Sequence, residues 1–354
     1  MKDCLIKKLF NFNVLFIFVL CSFFLSCSAK SDKEAAVAVF VPGVIAGSPT
    51  YEMLAQGSVE AVNEYNKKYH KDVKIDVIEA GKNQDEWSSK LTALTASTKY
   101  SLIVSSNSSL PAIVSPLTEQ FSEQKYLLLD AYLENNANVA TVNYNQREQG
   151  YLTGYAAGLV TTADTSDFAY ANSAKKIALI AAQEYPVMNE VILPAFIEGA
   201  KAVDADISVD FRIVGNWYDA SKSADIAHSL YDEGVDVILP ISGGANQVVI
   251  SAAQSLNFYV TWFDDNGYEK APGLVISSMA LEQKKLAKEM VSAYLEDKLE
   301  FGKAKTVGIK DGYINFIKDA PVFLENVPKS FVDKLSAVEN DIKTGRLQLP
   351  AANN

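Results

Sequence analysis

The stretch Gly234 to Asp265, GVDVILPISGGANQVVISAAQSLNFYVTWFDD, decides how the rest of the chain is read. Val235, Val237, Ile238 and Leu239 form a short apolar, β-branched run that the sequence expects to stop at Pro240 and open into Ser242-Gly243-Gly244. A helical pattern follows from Ala245, and then a second strand, Phe258 to Phe263, that ends in Asp264-Asp265. This is a βαβ unit, and such units build parallel sheets. Gly243 and Gly244 sit where a strand's C-terminal end meets a helix start, the place where α/β proteins receive polar ligands. A plainer alternative is that the glycines make a tight turn and the aspartates cap the next segment. The run lacks the GxGxxG spacing and contains no basic residue to meet a phosphate, so ligand hydroxyls suit this edge better.

Upstream, the same alternation repeats. The sequence predicts strands at 35–41, 73–78, 101–105, 126–130 and 139–143, with helices after the Pro42–Thr50 loop, at Trp87–Ala96 and after Pro111. A second series follows: helix Gln149–Val160, strand Lys176–Ala181, a helix within Val191–Val203 that Pro194 should start or kink, strand Ser208–Val214 and helix Ser221–Tyr231. Beyond the opening unit come strand Leu274–Ser278, helix Leu281–Leu299, short strands near Val307–Ile309 and Tyr313–Phe316, and the amphipathic helix Lys329–Thr344. Strands alternating with helices imply parallel sheets covered on both faces, and 354 residues exceed one ordinary core. Two doubly wound lobes are expected, residues 35–143 plus 280–305 and residues 144–279 plus 306–346, with the chain crossing near Asn143, Met279 and Gly308.

Composition narrows the chemistry. The chain is 49% hydrophobic and 21% charged, which is globular. All three cysteines, Cys4, Cys21 and Cys27, fall within the first 27 residues, so the remainder has no thiolate or disulfide. Only His70 and His228 offer imidazoles, which leaves little from which to assemble a catalytic triad or a zinc site. Lys2, Lys7 and Lys8, an apolar core from Val14 to Leu25 and small residues before Cys27 have the layout of an export signal over residues 1–26. Leu25-Ser26-Cys27 resembles a lipoprotein box that would acylate Cys27, and residues 27–34 form a polar tether. Removal of residues 1–26 takes away three lysines and one aspartate, a net +2, and changes the formal charge from −11 to −13. Such an acidic surface does not suit nucleic acid or anionic lipid, and attachment to a membrane falls to the N-terminal lipid alone.

In a two-lobed α/β protein, ligands bind where strand ends face each other across a cleft. That rule selects Val44–Tyr51, Asn107 and Asp130 in the first half. In the second half it selects Gln183–Pro186, Gly215–Asp219, Gly243-Gly244 and Asp264-Asp265. Trp217 and Tyr51, from opposite halves, can clamp a planar ring, although each is also ordinary core material. Asn107 can exchange a donor and an acceptor with a heterocycle edge, and Asp264 can accept from paired sugar hydroxyls.

Several runs then carry a specific resemblance. NQREQGYLTGYAAGLVT (Asn145–Thr161) is similar to the EQ-GSYL-G-AA segment of the basic membrane protein family, purine nucleoside receptor lipoproteins of bacterial ABC importers. FIEGAKAV (Phe196–Val203), VGNWYDASKS (Val214–Ser223), YDEGVDVILPISGGANQVVI (Tyr231–Ile250) and GIKDGYINF (Gly308–Phe316) match in order. The resemblance implies an α/β, type I periplasmic-binding-protein fold, two doubly wound parallel-sheet lobes with a ligand cleft between them. It further implies base stacking on Trp217, ribose hydroxyls on Asp264 beside Gly243-Gly244, Tyr51 or else Thr50 at the family's phenylalanine, and Asn107 where the first lobe contacts the base. A nucleoside ligand, an ABC permease as partner, no cofactor and a lipid-anchored place in the bacterial cell envelope follow from the same resemblance. The family's first-loop aspartate is replaced here by the uncharged run Pro42–Tyr51, and its lysine after Ser277-Ser278-Met279 by Ala280 and Leu281. Those departures leave open a receptor for another polar ligand, or a surface antigen with a vestigial pocket. An enzyme holding a cation on Asp264 and Asp265 is a further alternative.

Overall fold

The computed structural model describes residues 36–351; the expected export segment, Cys27 and its tether lie outside them. The first series of elements is β1 (Ala36–Val41), α1 (Pro49–Tyr69), β2 (Lys74–Glu79), α2 (Trp87–Ala96), β3 (Leu102–Ser106), α3 (Leu110–Gln120), β4 (Lys125–Leu129) and β5 (Val139–Tyr144). The second is α4 (Gln146–Thr161), β6 (Lys176–Ala181), α5 (Leu193–Val203), β7 (Ser208–Ile213), α6 (Ala220–Asp232), β8 (Val235–Ile241), α7 (Asn246–Leu256), β9 (Tyr259–Asp264) and β10 (Val275–Leu281). The tail comprises α8 (Gln283–Leu295), β11 (Ala304–Val307), β12 (Ile314–Phe316), α9 (Pro321–Leu324) and α10 (Lys329–Thr344).

These strands form two six-stranded sheets with the same internal order, β11-β5-β4-β3-β1-β2 and β12-β10-β9-β8-β6-β7. The first is parallel throughout, whereas β12 runs antiparallel to β10 at the edge of the second. Central strands such as β1 and β8 are buried at every residue, as strands covered by helices on both faces must be. Because the orders match, β4 and β9 are counterparts, and so are β1 and β6. The cleft lies between the C-terminal ends of the two sheets.

The chain passes between sheets after β5, after β10 and after β11. Tyr144 pairs with Val307 in the first sheet, and Ala280 and Leu281 pair with Asn315 and Ile314 in the second. The passages therefore fall at Asn145 and Glu282, each slightly later than the pattern of apolar residues places them, and in Gly308–Tyr313, which begins at the expected Gly308. Leu281 belongs to a strand rather than to the following helix, because its neighbours on β12 continue the ladder. That helix stops at Leu295, where Asp297 takes a left-handed φ of 55°, well before Leu299.

Pro240 lies inside β8 instead of ending it. The carbonyl of Ile241 accepts from Ala182 on the β6 side, so Pro240 turns its donorless nitrogen towards β9. The ladder between β8 and β9 has already ended at Ile238, and the proline interrupts no hydrogen bond there. Pro194 begins α5, as expected, after a π-helical turn at Met188–Ile192.

Two close helix pairs steady the lobes. In α4 and α5, a Cβ on Gly154 would stand 2.0 Å from the Phe196 carbonyl oxygen, and one on Gly199 would stand 2.0 Å from that of Tyr151. α1 and α8 meet at Gly57, whose Cβ position lies 2.2 Å from the Lys284 carbonyl oxygen. Only glycine permits either approach.

Candidate functional site

A cavity of about 360 Å³ lies between the lobes, within the range of roughly 300–1,000 Å³ typical of small-molecule sites. Tyr51, Asn107 and Asp130 reach it from the first lobe, and Tyr185, Trp217, Gly243, Gly244 and Asp264 from the second. All six ligand-binding candidates read from the sequence therefore line one space. They do so because each follows the C-terminal end of a strand, or the loop beyond it.

Local bonding changes what several of them can offer. Asn107 Oδ1 accepts from the Ser109 backbone nitrogen at 2.9 Å and from Ser109 Oγ at 2.6 Å, which occupies both lone pairs. Its Nδ2 donates to Tyr51 Oη at 3.4 Å. Asn107 is thus a donor to the cavity, not the donor and acceptor pair that its side chain alone allows. Burial pushes the Tyr51 hydroxyl well above its ordinary range, so the phenol stays protonated.

The glycine turn also has a different occupant from the expected one. Gly243 has a left-handed φ of 59°, and a Cβ there would lie 3.1 Å from Trp217 Cε3. A Cβ on Gly244 would lie 3.0 Å from Tyr218 Cδ1. The space left by the two glycines seats these aromatic rings, which in turn form the wall. Trp217 is tilted against Tyr185, with ring centroids 6.1 Å apart. Tyr185 is absent from the sequence candidates as a named residue, although the run Gln183–Pro186 marks its position after β6.

Tyr218 joins the lobes. Its hydroxyl is hydrogen-bonded to the Val44 backbone in the first-lobe loop. Lys82, also from the first lobe, stands over its ring with Nζ 5.4 Å from the centroid. The loop itself is pinned by Glu79, whose carboxylate accepts from the Ile45 nitrogen at 2.6 Å.

The two aspartates of the adjacent pair separate in role. Asp265 accepts from Trp262 Nε1 and lies 3.7 Å from Lys270 Nζ, so it is committed to its own lobe. Asp264 is half-buried at the cavity, and its Oδ1 accepts from Gln149 Nε2 at 3.1 Å. Burial, then the charge of Asp265, raise its carboxyl to about 7, against the opposing effect of the Gln149 bond. Asp130, at the matching strand end of the first lobe, is pushed up to about 8 by burial and by the charge of Asp264. The first lobe therefore does present a carboxyl group to the cavity, from β4 rather than from the loop after β1. Behind these groups, Tyr144 Oη donates to Gln283 Oε1 at 2.6 Å and Gln283 Nε2 donates to Ser106 Oγ at 2.7 Å, a polar floor at the crossings.

The arrangement can enclose a small ligand with a flat face and hydroxyl groups: aromatic surface on one wall, donors from Asn107 and Tyr51, and carboxyl groups from both lobes. Comparison with known proteins agrees in kind. The profile of a family described as Bmp, ABC transporter substrate-binding protein PnrA-like, matches residues 34–352. The ABC transporter nucleoside-binding protein BmpA of Lactococcus lactis is 24% identical over 269 residues, covering 71% of this chain and 72% of that protein. Basic membrane protein A of Borreliella afzelii is 24% identical over 320 residues, covering 89% and 93%. Among solved structures, an ABC transporter solute-binding protein from Aeropyrum pernix K1 superposes with a TM-score of 0.77 at 17% identity, covering 90% of this chain and 94% of that one.

Proposed function

The chain belongs to the Bmp family of PnrA-like ABC transporter substrate-binding proteins, and on that premise we propose that its cleft captures a nucleoside, which the protein delivers to an ABC permease. The observation that carries this reading is the interlobe cavity in which Asp264 stands at one end and the Tyr185–Trp217 face forms a wall. A nucleoside has the matching pair of features, vicinal hydroxyls that donate to a carboxylate and a planar base that lies on an aromatic ring. Asp130, Asn107 and Tyr51 meet the base edge from the opposite lobe. Because ligand touches both lobes, it stabilises the closed arrangement over the open one, and the lobes move about the three crossings. The name of the Lactococcus relative supports the ligand class.

The basic start, apolar run and Cys27 support an exported chain tethered outside the cytoplasm by lipid on Cys27. Membrane fractionation of wild type against Cys27→Ala checks this, and retention of the variant on the membrane would count against it.

Binding is tested by native mass spectrometry and by melting temperature with purine nucleosides, pyrimidine nucleosides and free sugars. A purine or pyrimidine nucleoside is expected to raise the melting temperature and to leave the protein unchanged. If every nucleoside leaves the melting curve unmoved while a sugar shifts it, the site serves another polar ligand. Product formation would replace the receptor reading with an enzyme.

A further inference from the structure

Asp264 is held from behind by a residue outside the cavity lining. Gln149 lies in the opening turns of α4 and is fully buried. Its amide nitrogen reaches the ends of two neighbouring strands, donating to Asp264 Oδ1 at 3.1 Å and to the Met279 carbonyl oxygen at 2.9 Å. A backbone carbonyl only accepts, so the amide cannot be turned over: its oxygen would then face the Met279 oxygen. Both hydrogens of the nitrogen are committed, one to each partner. Gln149 Oε1, also buried, makes no hydrogen bond. Leaving a buried acceptor unpaired is unfavourable, and the site holds this orientation despite it.

We propose that Gln149 is a positioning residue that fixes Asp264 as a one-sided acceptor: Oδ1 is occupied by the amide, and Oδ2 is the oxygen that titrates and that meets the ligand. The proposal rests on the nucleoside reading for the identity of that ligand, and on the geometry alone for the state of Asp264. A carboxylate whose Oδ1 must accept cannot carry its proton there. When Asp264 is protonated, Oδ2 becomes a donor and competes with the ligand's hydroxyls, so tight binding needs the ionised form. The Gln149 bond favours that form. Asp265 on the same strand end, Asp130 across the cleft, and the Tyr144 and Tyr185 hydroxyls are the other titratable groups that act on Asp264 or are acted on by it.

The experiment uses Gln149→Leu and Gln149→Met, which keep the volume and lose both donors. Nucleoside affinity is measured by calorimetry from pH 5.5 to 9, and the Asp264 carboxyl is followed by carbon NMR in the ligand-free protein over the same range. In wild type, affinity should fall as pH falls through about 7. Each variant should bind at least tenfold more weakly at pH 7, with the deficit narrowing towards pH 9. The NMR midpoint of Asp264 should move upward. In an Asp264→Asn background the Gln149 substitutions should add little further loss. A constant factor of weakening at every pH, with an unmoved Asp264 midpoint, would mean that Gln149 only supports the fold and would overturn the proposal. If wild type binds no nucleoside at any pH, the ligand reading fails, and the NMR midpoint still decides the role of Gln149.

Discussion

Asp130 and Asp264 are counterparts: each stands at the C-terminal end of the third strand in from the β11 or β12 edge of its sheet, and each is held in the left-handed region, at φ 50° and 74°. Aspartate tolerates that conformation better than most residues, at a cost of about 1–2 kcal/mol. In return, both carboxyl groups point into one cavity from opposite lobes. Each lobe therefore repeats the same device, and the charge of Asp264 raises the carboxyl of Asp130.

Removing the pieces of the proposed recognition face should weaken binding without unfolding the protein. Asp264→Ala and Trp217→Ala are each expected to reduce nucleoside affinity tenfold or more, about 1.4 kcal/mol. Titration calorimetry with the ligand found for wild type checks this. Wild-type affinity in both variants would place the site elsewhere.

Stability without ligand should depend on pH through the two carboxyl groups. Both are raised in the fold, from 3.8 to about 8 for Asp130 and about 7 for Asp264. The folded protein then binds protons more tightly than the unfolded chain, so their contribution is complete below about pH 4 and is lost as pH rises through 7 and 8. The melting temperature of the ligand-free protein should fall between pH 6 and 9. Asp130→Asn should flatten much of that slope, and an unchanged slope would argue against the raised Asp130 carboxyl.

Tyr218 should act on closure. Tyr218→Phe keeps the ring under Lys82 and the packing on Gly244 but loses the hydroxyl bonded to Val44. A hydrogen bond of this kind contributes about 0.5–1.5 kcal/mol, so ligand affinity should drop roughly two- to tenfold. The loss should appear in the dissociation rate, measured by stopped-flow release. Equal dissociation rates would show that this contact does not hold the lobes together.

The α4–α5 crossing offers a test of fold rather than site. Gly154→Ala places a methyl 2.0 Å from the Phe196 carbonyl oxygen, a backbone atom that cannot swing aside. Overpacking of this severity should destabilise by about 3 kcal/mol or more, read from the urea midpoint. Gly47→Ala meets no atom within 4 Å and faces only its left-handed φ of 79°, a smaller penalty of about 1–2 kcal/mol. Equal midpoints for the two variants would contradict the close approach of the helices.

Much of this architecture is legible in the sequence. Runs of β-branched residues alternating with helical stripes specify buried parallel strands, because a strand covered on both faces has no polar side to display. Strand ends are equally legible, and since ligand sites in such sheets gather there, Tyr51, Asn107, Trp217, Gly243, Gly244 and Asp264 can be named from the pattern. Strand boundaries at Pro240 and Leu281 are less so, since whether a strand continues depends on what its neighbours still offer as hydrogen-bond partners.

The sequence by itself determined the class of fold, the two series of strands and the edge at which a ligand would lie, since these follow from periodicity and turn chemistry along the chain. Only the tertiary structure decided what each site residue has left to offer: Asn107 gives its acceptor to Ser109, the glycines seat Trp217 and Tyr218, and Asp130 answers Asp264 from the other lobe. Gln149 and Asp264 are far apart in sequence, and so are Tyr218 and Val44. Their meetings arise from three crossings between two sheets, and no local pattern records a contact that only chain topology brings about.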